Sequence, residues 1–153
     1  MKIFTSRNLF LSVLACVVTV ATFVVSKTAA APVLPNPVLA FLGQQSAEIG
    51  GKTKTRYNFE VTNKEEFPAD MFAAAPELPP CGTNTKAART WVDLYDQSGK
   101  RLNGFCALTK SGDLSKLWFA LDPAEVPPSW VYVEFTDRKT NTKYKSNLAE
   151  TTL

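Results

Sequence analysis

The sequence contains no histidine, and this absence restricts its chemistry more than any residue that is present. Without imidazole, the chain has no Ser-His-Asp site, no Cys-His site and no zinc site with histidine ligands. Acid–base catalysis would depend on Asp, Glu, Lys or Tyr side chains alone. No nucleophile motif or metal-binding motif accompanies these side chains. The sequence therefore predicts no enzyme, no catalytic residue, no metal and no cofactor.

A net charge is also missing once the first 30 residues are set aside. These residues carry three of the 17 basic side chains and no acid, which leaves 14 basic and 14 acidic side chains. A balanced domain offers no basic face, so we expect no nucleic-acid partner. Residues 31–153 also lack an Asn-x-Ser/Thr acceptor, which favours a bacterial envelope protein over a eukaryotic secreted one.

The first 30 residues have the order of a secretory signal peptide. Lys2 and Arg7 precede an apolar run over residues 9–25, and small residues follow around the predicted cleavage site after Ala30. We therefore expect a secreted or periplasmic protein that meets a membrane only through its export signal. Two alternatives stay open. In the first, the apolar run would be an uncleaved membrane anchor. In the second, Cys16 would be the lipidated cysteine of a lipoprotein.

The mature chain predicts almost no helix, but short alternating segments predict seven β-strands. Two strands are clear, namely residues 56–62, where Tyr57, Phe59 and Val61 share one face, and residues 130–136. The other five are predicted within residues 38–49, 90–95, 101–108, 116–121 and 143–148. This pattern predicts an all-β protein, an antiparallel sandwich of two sheets.

The predicted domain boundaries follow from these segments. A signal peptide covers residues 1–30, and a proline-rich tether with a possible first edge strand covers residues 31–43. The sandwich then covers residues 44–148, and a frayed tail covers residues 149–153.

One resemblance to known families rests on two strands, Tyr57-x-Phe59-x-Val61 and Trp130-Val131-Tyr132-Val133. Their places in the strand order make residues 44–148 similar to a fibronectin type III or immunoglobulin-like domain. The resemblance implies a binding or spacing role and carries over no functional residue.

Cys81 and Cys106 form an even pair in a chain that is expected to be exported, which predicts a disulfide. The disulfide would close a loop of 25 residues and stabilise the domain by about 3 kcal/mol. A pair of redox-active thiols is disfavoured, because no C-x-x-C spacing is present. The pair also departs from the immunoglobulin arrangement, since Cys81 precedes Trp91 and Cys106 lies in the next predicted strand.

The leading functional hypothesis is a binding or adhesion module whose partner contacts the long connection at residues 64–88. This connection is too long for an ordinary loop, and it carries Phe67, Met71 and Phe72. A short helical turn is expected from Pro68 onward. For the connection itself, loop length favours the other interpretation, a purely structural crossover that is held in place by Cys81.

A carbohydrate-binding module is the second hypothesis, because sugars stack on aromatic faces. Trp130 and Tyr132 share the face opposite Val131 and Val133, so they are the best candidates for an exposed aromatic pair. Trp91 is expected in the core. The partner is thus an unidentified protein or glycan.

Carboxylates provide the third and disfavoured hypothesis. Asp93 and Glu134 both lie in predicted strands and would suit a hydrolase only if the fold placed them together in a pocket. Asp93, Asp96 and Asp113 do not have the spacing of a calcium loop. Aspartates in turns are instead expected to bind nearby backbone amides.

Overall fold

The computed structural model describes residues 34–80 and 88–152, which contain eight β-strands and three short 3₁₀ helices. The strands are β1 (Leu39–Ile49), β2 (Lys52–Val61), β3 (Thr90–Asp96), β4 (Arg101–Phe105), β5 (Leu117–Leu121), β6 (Trp130–Asp137), β7 (Thr142–Lys145) and β8 (Ala149–Glu150). The 3₁₀ helices are Lys64–Glu66, Ala69–Phe72 and Ser111–Ser115.

The strands form two antiparallel sheets, as the sequence predicts. A three-stranded sheet has the order β1-β2-β5, and a five-stranded sheet has the order β4-β3-β6-β7 with β8 also paired to β6. The eighth strand lies where the sequence predicts a frayed tail. That prediction overlooked Ala149, which is buried and pairs with Val131.

The inner faces of the two sheets form one hydrophobic cluster. Tyr57, Phe59 and Val61 are buried on β2, which confirms the predicted face of this strand. Phe59 and Tyr57 stack on Phe119 of β5, with ring centroids 5.8 and 4.8 Å apart. On the opposite sheet, alternation along β6 buries Val131, Val133 and Phe135, and Asp137 is buried at the end of the strand.

Two asparagine side chains join the sheets at opposite edges of the molecule. Asn103 of β4 donates from Nδ2 to the backbone oxygen of Trp118, at 2.7 Å. Asn147, between β7 and β8, accepts from the backbone nitrogen of Leu39 at 2.8 Å and donates to the Leu39 oxygen at 3.0 Å. These amides satisfy backbone groups that a neighbouring strand would otherwise bind.

The long connection between β2 and β3 is part of the core. Phe67 is 3% exposed, and Met71 and Phe72 are each 1% exposed. Phe67 packs edge-on against Phe135 at 5.1 Å. The expectation that these three side chains form an exposed binding surface is therefore wrong. Burying a large apolar side chain contributes about 1.5–3 kcal/mol, so three of them hold a long connection against the sandwich.

An ion-pair network holds the end of this connection. Arg89 donates to both carboxylate oxygens of Asp137 and, at 2.7 Å, to Asp70 in the second 3₁₀ helix. The guanidinium of Arg89 lowers the pKa of the buried Asp137 to about 2. The backbone nitrogen of Arg89 also donates to the oxygen of Ala73.

Trp91 lies outside the buried core, contrary to expectation. Thr90, Val92 and Leu94 of β3 point inward, so strand alternation turns Trp91 to the outer face, where Arg138 lies 4.2 Å from its ring centroid. Asp93 shares this outer face. Asp93 lies two residues after Trp91, so the two side chains share one face of the strand. This carboxylate is the sequence signal that could have shown that Trp91 points outward.

Two predictions concern residues that the structure does not fully describe. Cys106, directly after β4, is disulfide-bonded. Cys81 lies outside the described residues, so its pairing with Cys106 stays a prediction.

No helix within residues 34–80 and 88–152 has the length and hydropathy of a membrane span. The apolar run at residues 9–25 lies outside that part of the chain.

Candidate functional site

Asp93 and Glu134 are direct neighbours across β3 and β6 on the outer face of the five-stranded sheet. Each carboxylate is bonded to a cation. Arg101 lies 2.7 Å from Asp93, and Lys143 lies 2.7 Å from Glu134. A hydrolase of this type needs one carboxyl that stays neutral to act as an acid. The four side chains instead form two ion pairs in a row across β4, β3, β6 and β7, with the two carboxylates in the middle and a cation at each end.

The Arg101–Asp93 pair lies directly over Gly104. A methyl group at Gly104 would come within 2.5 Å of the Asp93 oxygen and would overlap the guanidinium of Arg101. Next to this pair is a cleft of about 330 Å³ lined by Trp91, Phe105 and Cys106 together with the pair itself. The cleft includes Asp93 but not Glu134, so no shared pocket encloses the two carboxylates.

The predicted aromatic pair lies on this same face, but its ring surfaces are largely occupied. Tyr132 stacks on Tyr95 with centroids 5.3 Å apart, and the Nζ atom of Lys145 lies 3.8 Å from the Tyr132 ring. Trp130 is 41% exposed. A sugar would therefore find one accessible ring, Trp130, instead of a two-ring platform. Tyr95 was missed from the sequence, although it shares the outward phase of Asp93.

Of the three aspartates considered as calcium ligands, two bind local backbone amides, as expected for turns. Asp96 accepts from the nitrogens of Ser98 and Lys100, and Asp113 accepts from the nitrogen of Thr109. Hydrogen bonds from Ser98 lower the pKa of Asp96, and those from Thr109 lower the pKa of Asp113. In the described part of the chain, no three acidic or cysteine side chains are grouped so as to hold a metal ion.

The first hairpin projects beyond the sandwich as a ribbon, defined here as residues 43–56, and its outer part has only two strands. β2 pairs with β5 only from Thr55 onward, so its first residues pair with β1 alone. No residue of the ribbon is buried. Gly50 and Gly51 close it in a two-residue turn, with φ values of +62° and +74°.

A groove of about 620 Å³ lies at the base of the ribbon. Phe41 and Tyr57 supply its aromatic lining, and burial raises the pKa of Tyr57. Its other lining residues come from the ribbon, the β5–β6 loop and the C-terminal segment: Gln44, Thr55, Pro123, Glu125, Pro127, Thr151 and Thr152. The hydroxyl of Thr151 donates to the Pro128 oxygen and so joins two of these walls.

The groove combines two aromatic rings with a majority of polar side chains, so it offers a partner both apolar contact and hydrogen bonds. Sequence reasoning did not find it, because its residues come from four separate segments. The one local signal was the proline pair of the β5–β6 loop, Pro123 and Pro127, which line a single wall. Compared with models of known families, with curated proteins and with solved structures, the chain matches none.

Proposed function

We propose that this chain is an exported interaction module that binds a protein partner and performs no catalysis. The groove beside the ribbon is the observation that carries the proposal. It is the larger of the two described clefts, and it joins the aromatic rings of Phe41 and Tyr57 to hydroxyl and amide groups. The one charged side chain of the lining, Glu125, already accepts a hydrogen bond from the Asp122 nitrogen, so the lining favours the side chains of a protein over a substrate that needs charged catalytic groups.

A fibronectin type III or immunoglobulin-like identity is part of this proposal. The order β1-β2-β5 in one sheet and β4-β3-β6-β7 in the other supports it. In immunoglobulin nomenclature, β1, β2 and β5 correspond to strands A, B and E, and β4, β3, β6 and β7 correspond to C′, C, F and G. The fourth strand in chain order then lies beside the third, as in a variable-type domain. Domains with this architecture often serve as binding modules, which is a fold-level analogy.

Export to an oxidising compartment, secreted or periplasmic, is also proposed. The order of charged, apolar and small residues in the first 30 positions supports it. The disulfide-bonded state of Cys106 is consistent with this location, since such bonds persist in oxidising compartments. We propose Cys81 as the other half of the bond.

The test is site-specific photo-crosslinking in the cells that export the protein. A photoreactive residue at Gln44 should give a discrete adduct with another protein, because Gln44 lines the groove. The same residue at Lys116, which is exposed and lines neither cleft, is the control. Equal adducts from both positions, or none from Gln44, would contradict the proposal.

Carbohydrate binding is the second candidate, since Trp130 keeps an exposed ring. A glycan array separates the two functions. Binding of a glycan that disappears in Trp130→Ala but persists in Gln44→Arg would favour the second candidate. We expect no glycan signal, because the faces of Tyr132 are covered by Tyr95 and Lys145.

A further inference from the structure

Among residues 34–80 and 88–152, the groove at the base of the ribbon is lined by one charged side chain, and that charge is negative. The residue is Glu125, which is exposed. Its Oε2 atom accepts from the Asp122 nitrogen at 2.8 Å. A carboxylate has about four acceptor positions on its two oxygens, so Glu125 can accept further hydrogen bonds. A donor that enters the groove therefore meets an acceptor with a full charge.

A second carboxylate lies at the rim of the groove. Thr152, which lines the groove, donates from its hydroxyl to Oε1 of Glu150 at 3.1 Å. Within the described part of the chain, neither Glu125 nor Glu150 forms an ion pair. Both negative charges are therefore uncompensated at close range, and an incoming cation would be attracted by each of them.

The cations nearest in sequence to the lining are engaged elsewhere. Thr55 and Tyr57 line the groove, so strand alternation directs Lys54 and Arg56 to the opposite face of β2. Lys54 pairs with Asp122 at 3.2 Å, and Arg56 stacks on the tryptophan of β5 with 4.7 Å between its Cζ atom and the ring centroid. Neither cation belongs to the lining, which leaves the position beside Glu125 open to a cation from a partner.

The apolar part of the lining suits a hydrocarbon stem. Tyr57 stacks between Phe41 and Phe119, with centroids 6.4 and 4.8 Å apart, so both faces of its ring are covered. Tyr57 is only 5% exposed, and Phe41 supplies the larger aromatic surface. Pro123 and Pro127 add apolar atoms on a separate wall. An extended chain of methylene groups can contact these surfaces together.

Arginine and lysine are the side chains that match both parts of this lining. Each has an apolar stem that packs on apolar surface and a cationic head that stays at a polar rim. An acidic side chain would add a like charge beside Glu125 and Glu150. A purely apolar one would displace water from hydroxyl and amide groups without replacing their hydrogen bonds. The charge and the lining thus favour a basic occupant.

We propose that the groove beside the ribbon binds a basic side chain, arginine or lysine, that a protein partner inserts. The stem packs on Phe41 and the two prolines, and the head donates to the Glu125 carboxylate. Such charge-assisted hydrogen bonds are stronger than neutral ones. The inference rests on the proposed function and adds the partner's chemistry at the same site.

The experiment uses phage-displayed random peptides that are panned against the exported protein. Phage that also bind Gln44→Arg are removed first, because this variant places a cation at the groove and should reject a basic occupant. The enriched peptides should share an arginine or a lysine.

Glu125→Gln isolates the charge. Glutamine is of nearly the same size, and its amide oxygen can still accept from the Asp122 nitrogen. This variant should bind the enriched peptides about five-fold more weakly, as expected for an exposed ion pair. Glu65→Gln is the matched control, since Glu65 is exposed and lines neither cleft. It should bind the peptides as the wild type does.

A double-mutant cycle tests whether the basic residue of the peptide contacts Glu125. Glutamine in place of that residue should weaken binding as much as Glu125→Gln does. Both changes together should weaken it little further, because each removes the same ion pair. No enrichment, peptides without a basic residue, unchanged binding to Glu125→Gln, an equal loss in Glu65→Gln or additive losses would overturn the inference. So would a wild-type dimer that Glu125→Gln dissociates, because the occupant would then be a second copy.

The failure of this inference differs from the failure of the proposed function. If the crosslink from position 44 persists unchanged in Glu125→Gln, the groove binds a protein through other groups, and only the partner's chemistry is wrong. If that crosslink is absent from the protein with Glu125 intact, the proposed function itself is wrong.

Discussion

The β2–β3 connection and the β1–β2 ribbon contrast most clearly in this molecule. Within residues 62–80 and 88–89, the connection has only two short 3₁₀ helices, yet it buries Phe67, Met71 and Phe72. The ribbon has two regular strands and a tight turn, yet it buries no side chain. Regular hydrogen bonding and contribution to the core are therefore separate properties, and the apolar side chains determine the second.

The largest expected effect compares one side chain of similar size from each region. Met71→Ala should lower the free energy of unfolding by about 2–5 kcal/mol, because it leaves a cavity beside the core. Ile49→Ala, in the ribbon, should cost less than about 1 kcal/mol. Urea unfolding of the two variants measures both values. Equal losses would mean that the ribbon is part of the core.

The sequence predicted the strands better than it predicted the connection, for a physical reason. Alternation along β2 and β6 reports burial directly, so Phe59 and Val133 were assigned to the core correctly. A connection has no period, so its apolar residues suit a core or a binding surface equally well. Only the space between the packed sheets distinguishes the two.

The candidate site was less predictable than the fold. Trp130 and Tyr132 were placed on the correct face, but the cation over Tyr132 comes from β7. The groove joins β1 and β2 to a loop and to the residues after β8, which are distant in sequence. No local pattern contains that arrangement.

The disulfide should contribute the next largest effect, at the C-terminal end of the connection. Reduction should lower the free energy of unfolding by about 3 kcal/mol, because the predicted Cys81–Cys106 bond closes 25 residues. The melting temperature, measured with and without reductant, gives the result. Thiol titration of the unfolded, unreduced protein should detect no thiol at Cys81 or Cys106. Two titratable thiols would contradict the pairing.

Acid should lower the free energy of unfolding by roughly 2 kcal/mol, because it protonates Asp137, whose ion pair with Arg89 holds the connection. Arg89 lowers the pKa of Asp137 to about 2, below the unfolded value of about 4. A lowered folded pKa stabilises the protein above the unfolded value, and that stability is lost as the pH falls from about 4 toward 2. Asp137→Asn is the control, because it cannot titrate. The wild type should approach this variant in stability across that pH range, and parallel curves would argue against the linkage.

The smallest expected effect belongs to the ribbon turn, and it tests whether the ribbon opens on its own. Gly51 has a φ of +74°, where an alanine costs roughly 1–2 kcal/mol. Because the ribbon buries nothing, it can release this strain by local opening while the core stays folded. Gly51→Ala should then speed amide exchange at Ala47 and Ile49 about ten-fold and leave the melting temperature nearly unchanged. Gly50→Asn keeps a favoured Asn-Gly turn and should leave both unchanged. A loss of global stability without faster exchange would mean that the ribbon and the sandwich unfold together.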